Sequence, residues 1–131
     1  MVFGVGLDHF FTEGNQPVLE VVRKKDRLRL PNTTTARPSF VFESLDFPVN
    51  DRPTEAYLAE FQPRSPATEP HDHAGMEFIY VISGAIAIEI HDKEHELNSG
   101  DAMYFDAGFP HTYKCLGQER ANVVVVATPL V

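Results

Sequence analysis

Residues 71–77 read His71-Asp72-His73-Ala74-Gly75-Met76-Glu77, and the architecture is predicted from this segment outward. Side chains two residues apart on an extended chain point the same way, so one face of this segment can present His71, His73 and Glu77 together. The glycine inside the segment allows a bend without placing a bulky side chain in the way. A fourth residue, His111, follows a glycine- and proline-containing turn and begins another predicted strand, from which it can complete the group.

These four residues offer three imidazoles and one carboxylate, a set that suits a divalent first-row metal such as iron, manganese, zinc, nickel or cobalt. Each residue alone would be explained equally well as a surface histidine or a salt-bridged glutamate. The four residues together, with glycines nearby, predict a metal site. The sequence does not determine which metal it binds. Four protein ligands leave one or two positions for water or substrate on an octahedral ion, and such a site can polarise a bound oxygen ligand.

Short apolar segments separated by turns surround the predicted metal site. None of them shows a clear helical period over ten or more residues, and strands at roughly 8–12-residue spacing are typical of a sandwich or barrel. The predicted strands cover residues 18–23, 27–30, 39–45, 56–62, 77–83, 85–90, 95–97, 102–105, 111–115 and 122–128. We therefore expect an all-β protein with a single folded domain and no internal repeat.

The two histidine-containing motifs resemble those of the cupin superfamily. Residues 71–77, followed after six residues by Gly84, look like the first cupin motif, and residues 100–111 look like the second. The resemblance implies a jelly-roll β-barrel of the double-stranded β-helix type, often a homodimer, with a metal bound at positions 71, 73, 77 and 111. The sequence departs from the pattern at Asp106, where a proline is usual, and at Cys115, where an asparagine is common, but it keeps all four ligands.

Residues 100–111 also resemble the cupin sensor half of bacterial helix-turn-helix transcriptional regulators, in which a sequence like Tyr104-Phe105-Asp106 is common before the turn. Residues 5–24 are similar to the end of the DNA-binding domain and its linker in those regulators. We therefore expect an N-terminal remnant or linker at residues 1–20 and a cupin β-barrel domain at residues 21–131. The helix-turn-helix is missing, so we expect either a truncated product or a descendant of a regulator that lost its DNA-binding part.

Several side chains near the metal residues are candidates for a small-molecule pocket. Strand alternation puts Met103 and Phe105 on one face, and it puts Tyr113 on the same face as His111. Plain core packing is the competing role for all of these residues, and no catalytic residue is assigned. The predicted pocket residues are Met103, Phe105, Tyr113, Tyr57 and Phe61.

Composition and charge exclude several classes of protein. The 131 residues carry a formal net charge of −8 and a sequence pI of about 5.1, whereas nucleic-acid binders normally show a basic patch. The one cysteine, Cys115, excludes a disulfide within the chain and is expected to pack as a small buried hydrophobe. No apolar run approaches the roughly 20 residues of a membrane span, and the N-terminus lacks the basic start of a signal peptide. We therefore expect a cytoplasmic protein that contacts neither nucleic acid nor membrane directly.

Three functions remain, in order of preference. The regulator-like turn and the linker-like N-terminus favour a sensor domain that binds a metal and a small-molecule ligand, for example a carboxylate that completes the coordination of the metal. The full set of four ligands also fits a metal-dependent enzyme, such as a dioxygenase, isomerase or decarboxylase acting on a small organic acid. A storage or structural role is least favoured, because open coordination positions have no use in it.

Overall fold

The computed structural model describes residues 17–31 and 40–128, and these residues consist largely of strands and turns. The single helical element among them is one 3-10 turn at Lys24–Asp26. No helix in the described part of the chain is long and apolar enough to cross a membrane. Residues 1–16 of the predicted N-terminal remnant lie outside the described ranges.

Nine strands run through the described residues, and each lies within one or two residues of a predicted strand. This agreement confirms the prediction of an all-β fold. In chain order the strands are β1 (Leu28–Pro31), β2 (Phe40–Ser44), β3 (Glu55–Phe61), β4 (Met76–Ser83), β5 (Ala85–Ile90), β6 (Lys93–Asn98), β7 (Ala102–Asp106), β8 (His111–Leu116) and β9 (Ala121–Thr128).

The strand predicted at residues 18–23 is wrong, because this segment has no regular structure. Three of its four apolar side chains, Val18, Leu19 and Val21, are exposed, and the fourth, Val22, is half-buried. None of the described strands pairs with the segment, so its β-forming residues have no ladder to join. Strand propensity measures how well a residue fits a half-buried sheet surface, and here the surface is lacking.

The strands form two antiparallel sheets. The larger sheet has the order β1-β2-β3-β9-β4-β7, and the smaller sheet has the order β6-β5-β8. Strands far apart in sequence are therefore neighbours, most clearly in the larger sheet, where β9 lies between β3 and β4. Two antiparallel sheets with such crossovers are the pattern of a jelly roll, which confirms the predicted architecture.

The core lies between the two sheets and follows the alternation of the strands. In β4, the buried Ile79 and Val81 alternate with the exposed Phe78 and Tyr80. Cys115 on β8 is buried, as the sequence suggested. From the smaller sheet, β5 contributes three buried isoleucines, Ile86, Ile88 and Ile90.

We predict that Gly84→Ala, at the turn between β4 and β5, lowers the free energy of unfolding by about 2–4 kcal/mol. Gly84 has a φ of +77°, a left-handed conformation that costs any other residue about 1–2 kcal/mol. A Cβ atom here would also lie 2.7 Å from the carbonyl oxygen of Arg120 and 2.8 Å from Cα of Ala121, so β9 would have to move. Urea denaturation followed by circular dichroism measures the loss.

Gly117→Ala is the matched control for this prediction. Gly117 has the same φ of +77°, but nothing lies within 4 Å of the position its Cβ atom would take. This variant should therefore lose only the backbone contribution, about 1–2 kcal/mol. Equal losses in the two variants would contradict the close approach of β9 to Gly84.

Candidate metal centre

Backbone pairing brings the two histidine-containing motifs together. His71 and His111 form an isolated antiparallel bridge, in which the amide of each donates to the carbonyl of the other at 3.1 Å and 3.0 Å. The amide of His73 donates to the carbonyl of Ala107 at 2.9 Å, and the amide of Ala107 donates to the carbonyl of Gly75 at 2.9 Å. These hydrogen bonds hold the first motif against the turn and the first strand residue of the second.

The first motif is not one extended strand, so shared parity is not what aligns its ligands. β4 begins only at Met76, and the buried Gly75 before it has a φ of +110°. Glycine adopts this backbone conformation without the steric cost that a side chain would impose. The histidines therefore reach Glu77 across a bend, which the sequence had allowed, rather than along one strand face.

Three donor side chains converge at this bend. Nε2 of His73 lies 3.0 Å from Oε2 of Glu77, and Nε2 of His111 lies 3.4 Å from the same oxygen. One possible ligand atom from each of the three residues lies within 4.8 Å of the others. Donors about 2.1 Å from one ion lie at most about 4.2 Å apart, so at most a small inward movement would let them share an ion.

His71 lies beside this group of three without belonging to it. The centre of its ring is 4.3 Å from that of His111 and 6.3 Å from that of His73. Its side chain is exposed, and its Nδ1 lies 3.4 Å from the carbonyl oxygen of Glu69. The structure thus places three of the four predicted ligands in one cluster and the fourth next to it.

The burial of His111 tests whether these residues fit a metal. Its side chain is 1% exposed, and its Nδ1 lies 2.8 Å from the carbonyl oxygen of Phe109, which places the proton on Nδ1. Nε2 is left as an acceptor facing Glu77, and it has no hydrogen-bond partner among the described residues. A buried lone pair beside a carboxylate oxygen would be satisfied by a divalent cation, so the residues fit a metal ion.

The carboxylate of Glu77 is held from its other side by Tyr113. The buried hydroxyl of Tyr113 donates to Oε1, which leaves Oε2 facing the two histidines. Burial by itself would raise the pKa of Glu77, but the nearby imidazole of His111 and the hydrogen bonds with Tyr113 and His73 outweigh it and hold that pKa below its usual range. Burial, together with the neighbouring Glu77, raises the pKa of Tyr113, which therefore remains a phenol that donates.

The two paired histidines are shifted in opposite directions. Although one side of His71 is exposed to solvent, partial desolvation of its ring among the neighbouring side chains lowers its pKa, and the neighbouring His111 lowers it further. Burial also disfavours the charged form of His111, but the carboxylate of Glu77 and the carbonyl of Phe109 outweigh this and raise its pKa. Without a metal, His111 is the member of this pair that takes up a proton first, and Glu77 is its partner.

A cavity of about 420 Å³ opens beside the cluster and is mostly apolar. Three of the predicted pocket residues line it, namely Tyr57, Phe61 and Tyr113. His71, His73 and Glu77 also line it, so the candidate metal ligands and the pocket form one continuous site.

The other two predicted pocket residues lie elsewhere. Phe105 is buried in the core, where its ring packs against that of His111 with 5.0 Å between the ring centres. Met103 is half-buried against the same core. Neither residue lines the cavity. Phe105 instead contacts the metal cluster from the core side, through the ring of His111.

Five lining residues were not found by the sequence analysis. Strand alternation counted back from Tyr57 would have found Glu55, and the same rule in β9 marks the inward side chains of that strand. Glu55 was overlooked because a charged residue at the start of a strand ordinarily faces solvent. The five residues are Phe42, Glu55, Ala74, Val125 and Ala127.

The family model described as Cupin_2, a cupin domain, matches residues 57–127. This match covers more than half of the chain and includes all four predicted metal ligands. The chain belongs to this cupin family. The resemblance carried by the two motifs is therefore confirmed.

Regulators are among the relatives of this cupin chain. The HTH-type transcriptional regulator PuuR of Escherichia coli (strain K12) is 25% identical over 130 residues, which is 98% of this chain and 68% of the regulator. The protein of the same name from Shigella flexneri matches to the same extent. These relatives confirm that the cupin chain is related to the helix-turn-helix regulators that its second motif resembles.

Solved structures share the fold at lower identity. The crystal structure of Fe(II)-HppE with the alternative substrate (S)-1-HPP superposes with a TM-score of 0.72 and 22% identity, over 83% of this chain and 60% of that one. The Cupin_2 domain of an XRE family transcriptional regulator from Enterobacter cloacae superposes with a TM-score of 0.63 and 17% identity, over 71% of this chain and 99% of that one. At these identities the likeness establishes the fold.

We predict that the affinity for Co(II) falls as the pH is lowered from about 8 to about 6, by up to about tenfold per pH unit for each proton displaced. Because the pKa of His111 is raised, its proton already competes with the metal at pH values above the usual histidine pKa of about 6.5. The stabilisation that the protonated His111 gives the metal-free fold is fully present below pH 6.5 and is lost as the pH rises through the raised pKa. Low pH therefore favours the metal-free state, and calorimetric titrations at several pH values measure the slope.

His91→Ala provides the control, because His91 is exposed and is not one of the clustered donor residues. It should keep the wild-type pH profile, whereas His111→Gln should weaken Co(II) binding and flatten the profile. An affinity that does not change with pH would count against histidine ligation.

Proposed function

We propose that this chain is a metal-binding cupin domain that recognises a small-molecule ligand and serves as a sensor of the regulator type. The proposed metal ligands are His71, His73, Glu77 and His111, and the metal is Fe, Mn, Zn, Ni or Co. The observation that carries the proposal is the convergence of three donor side chains at one end of an apolar cavity. We further propose a cytoplasmic location and no direct contact with nucleic acid or membrane, in keeping with the net charge of −8.

The chain's own residues prepare the site before a metal or ligand enters. Tyr113 fixes one oxygen of Glu77, and Phe109 fixes the tautomer of His111, so both donors already face the same point. Phe61 and Val125 make the adjoining wall apolar and keep water away from the ligand. A metal bound here supplies Lewis-acid polarisation of a ligand oxygen.

The sensor role is supported by the relatives of the chain. The matched regulator aligns with 98% of this chain, so the shared part extends beyond the cupin barrel toward the N-terminus. A sensor requires a formed cavity in which a ligand can bind reversibly, and the cavity of about 420 Å³ supports this role. Reading DNA is a task that we assign to another chain or segment.

We predict that Co(II)-loaded wild-type protein holds about one ion per chain, and that His73→Ala and His111→Ala hold almost none after dialysis. Loss of one ligand from a three-donor cluster lowers metal affinity by orders of magnitude. Elemental analysis of the dialysed proteins measures the content, and His71→Ala should show a weakened but measurable retention.

His95→Ala is the control for metal content, because His95 lies half-buried on β6, outside the cluster. It should retain metal as the wild-type protein does. Equal metal content in wild-type protein and His111→Ala would overturn the proposed site.

A metal-dependent enzyme is a second candidate, and one observation favours it. Two histidines and one glutamate form the cluster, and a 2-His-1-carboxylate set with open positions is typical of non-haem Fe(II) oxygenases. An oxygen electrode distinguishes the candidates when Fe(II)-loaded protein is supplied with small organic acids. Sustained oxygen uptake that disappears in His111→Ala supports the enzyme, whereas binding without turnover supports the sensor.

We also propose that the protein is a homodimer formed through the outer face of the larger sheet. Four exposed apolar side chains share this face, and two of them pair across the sheet with Val124 and Val126 of β9. Aromatic residues without charges are typical of interface centres, and a two-fold axis would pair the face with itself. The four side chains are uncharged, so in a chain of net charge −8 this part of the face is where a second copy approaches with the least repulsion. The four side chains are Phe78, Tyr80, Ile82 and Tyr104.

We predict that Tyr80→Glu converts the dimer to a monomer, because each copy would bury an unpaired charge at the interface. Analytical ultracentrifugation measures the mass in solution. Gln118→Glu adds the same charge in an exposed loop and should stay dimeric. A monomeric wild-type protein, or a dimeric Tyr80→Glu, would refute the proposed interface.

A further inference from the structure

The cavity has a second polar group at a distance from the metal cluster. Glu55 and Tyr57 lie on β3 with their side chains lining the cavity, and both are half-buried. The hydroxyl of Tyr57 donates to Oε2 of Glu55 at 2.9 Å. This hydrogen bond holds the carboxylate in one orientation. It uses Oε2, so Oε1 of Glu55 is the oxygen that can accept a hydrogen bond from a ligand.

The register of the sheet sets the separation between the two carboxylates. Glu55 on β3 pairs with Ala127 on β9, and Ala127 in turn pairs with Glu77 on β4. Glu55 and Glu77 therefore lie in one row, two strands apart, which corresponds to roughly 10 Å between their backbones. Only the methyl group of Ala127 stands between them, so the space remains open for a ligand.

The charges of the lining residues are unbalanced at the Glu55 end. Among the described residues that line the cavity there are two carboxylates and neither lysine nor arginine. A divalent ion would compensate Glu77, whereas the hydrogen-bond partner of Glu55 among the described residues is the neutral Tyr57. Arg52 is close enough to influence Tyr57, but its guanidinium lies 3.3 Å from Asp46 and donates to the carbonyl of Val49 at 3.1 Å.

Tyr57 keeps its proton throughout the physiological range. Burial, and then the bond to Glu55, raises the pKa of Tyr57 to about 12. It therefore acts as a donor that positions the carboxylate, and it adds no negative charge. Its ring packs against that of Phe42, with 5.5 Å between the centres, which fixes the side chain from behind.

We infer that Glu55, positioned by Tyr57, is a subsite for the ammonium group of a small organic ligand whose other end reaches the metal cluster. The inference rests on the proposed function, since it names the class of ligand that the same cavity takes. An ammonium group donates up to three charge-assisted hydrogen bonds and would balance the carboxylate. The apolar walls between the two ends accommodate a short aliphatic chain, as Phe61 and Val125 offer no polar contact to it.

The test compares ligands that differ only in the ammonium group. Co(II)-loaded protein is titrated calorimetrically with the ω-amino carboxylates from 3-aminopropanoate to 6-aminohexanoate, each beside the alkanoate of the same length. Because a charged hydrogen bond contributes about 1.5–3 kcal/mol, we expect at least one amino compound to bind about tenfold or more tightly than its alkanoate. That preference should vanish in Glu55→Gln and weaken in Tyr57→Phe.

Glu60→Gln is the matched control, because Glu60 lies on the same strand but faces outward, where it pairs with Arg120 at 3.0 Å. It should keep the full preference for the amino compound. The subsite is refuted if no amino compound binds more tightly than its alkanoate, or if Glu55→Gln retains the preference.

A metal-free arm separates failure of the subsite from failure of the metal site. Pentan-1-amine is titrated into the metal-free protein and into its Glu55→Gln variant, and weaker binding by the variant is expected. Loss of Co(II) content with this difference intact would refute the proposed metal site alone. Equal binding of the amine by the two proteins would refute the subsite, whatever the metal content.

Discussion

The backbone bridge between His71 and His111 is the interaction on which the rest of the site depends. The two residues are far apart in sequence, and the segment that carries His71 and His73 has no regular strand of its own. It takes its position from the turn before β8, through hydrogen bonds to Ala107 and His111. Because these long-range bonds require β8 to be in place, the metal cluster forms only as the two sheets assemble.

The carboxylate of Glu77 is buried like a core residue, and it is also one of the three clustered donor groups. Tyr113 holds it from the side of the smaller sheet, while His73 and His111 face its other oxygen. A buried charge of this kind is costly unless it is paired, and here Tyr113 and the two histidines offset the cost and keep the carboxylate ionised. An ionised carboxylate beside two imidazoles suits a sensor and an enzyme equally, and the difference between them lies in what occupies the open side of the cluster.

Much of the fold was predictable because strand alternation and turn residues are local signals. The nine strands lie within one or two residues of their predicted positions, and His73, Glu77 and His111 meet as the motifs indicate. The geometry of the first motif was not predictable, since a bend at Gly75 and a bridge to His111 depend on partners distant in sequence. The role of Glu55 depends on its register with Ala127 for the same reason. At residues 18–23 the prediction failed in the opposite way. The segment has the residues of a strand, but none of the described strands lies beside it for pairing.

The walls of the cavity differ in how firmly they are held. Most of its lining residues belong to strands, but those at residues 71–74 belong to the connecting segment before β4. Strand residues are fixed by ladders on both sides and lose little freedom when a ligand binds, so the entropy lost on binding falls mainly on the connecting segment. A ligand bound in the cavity would therefore restrict mainly this one short stretch of chain, beyond the backbone hydrogen bonds that already hold it.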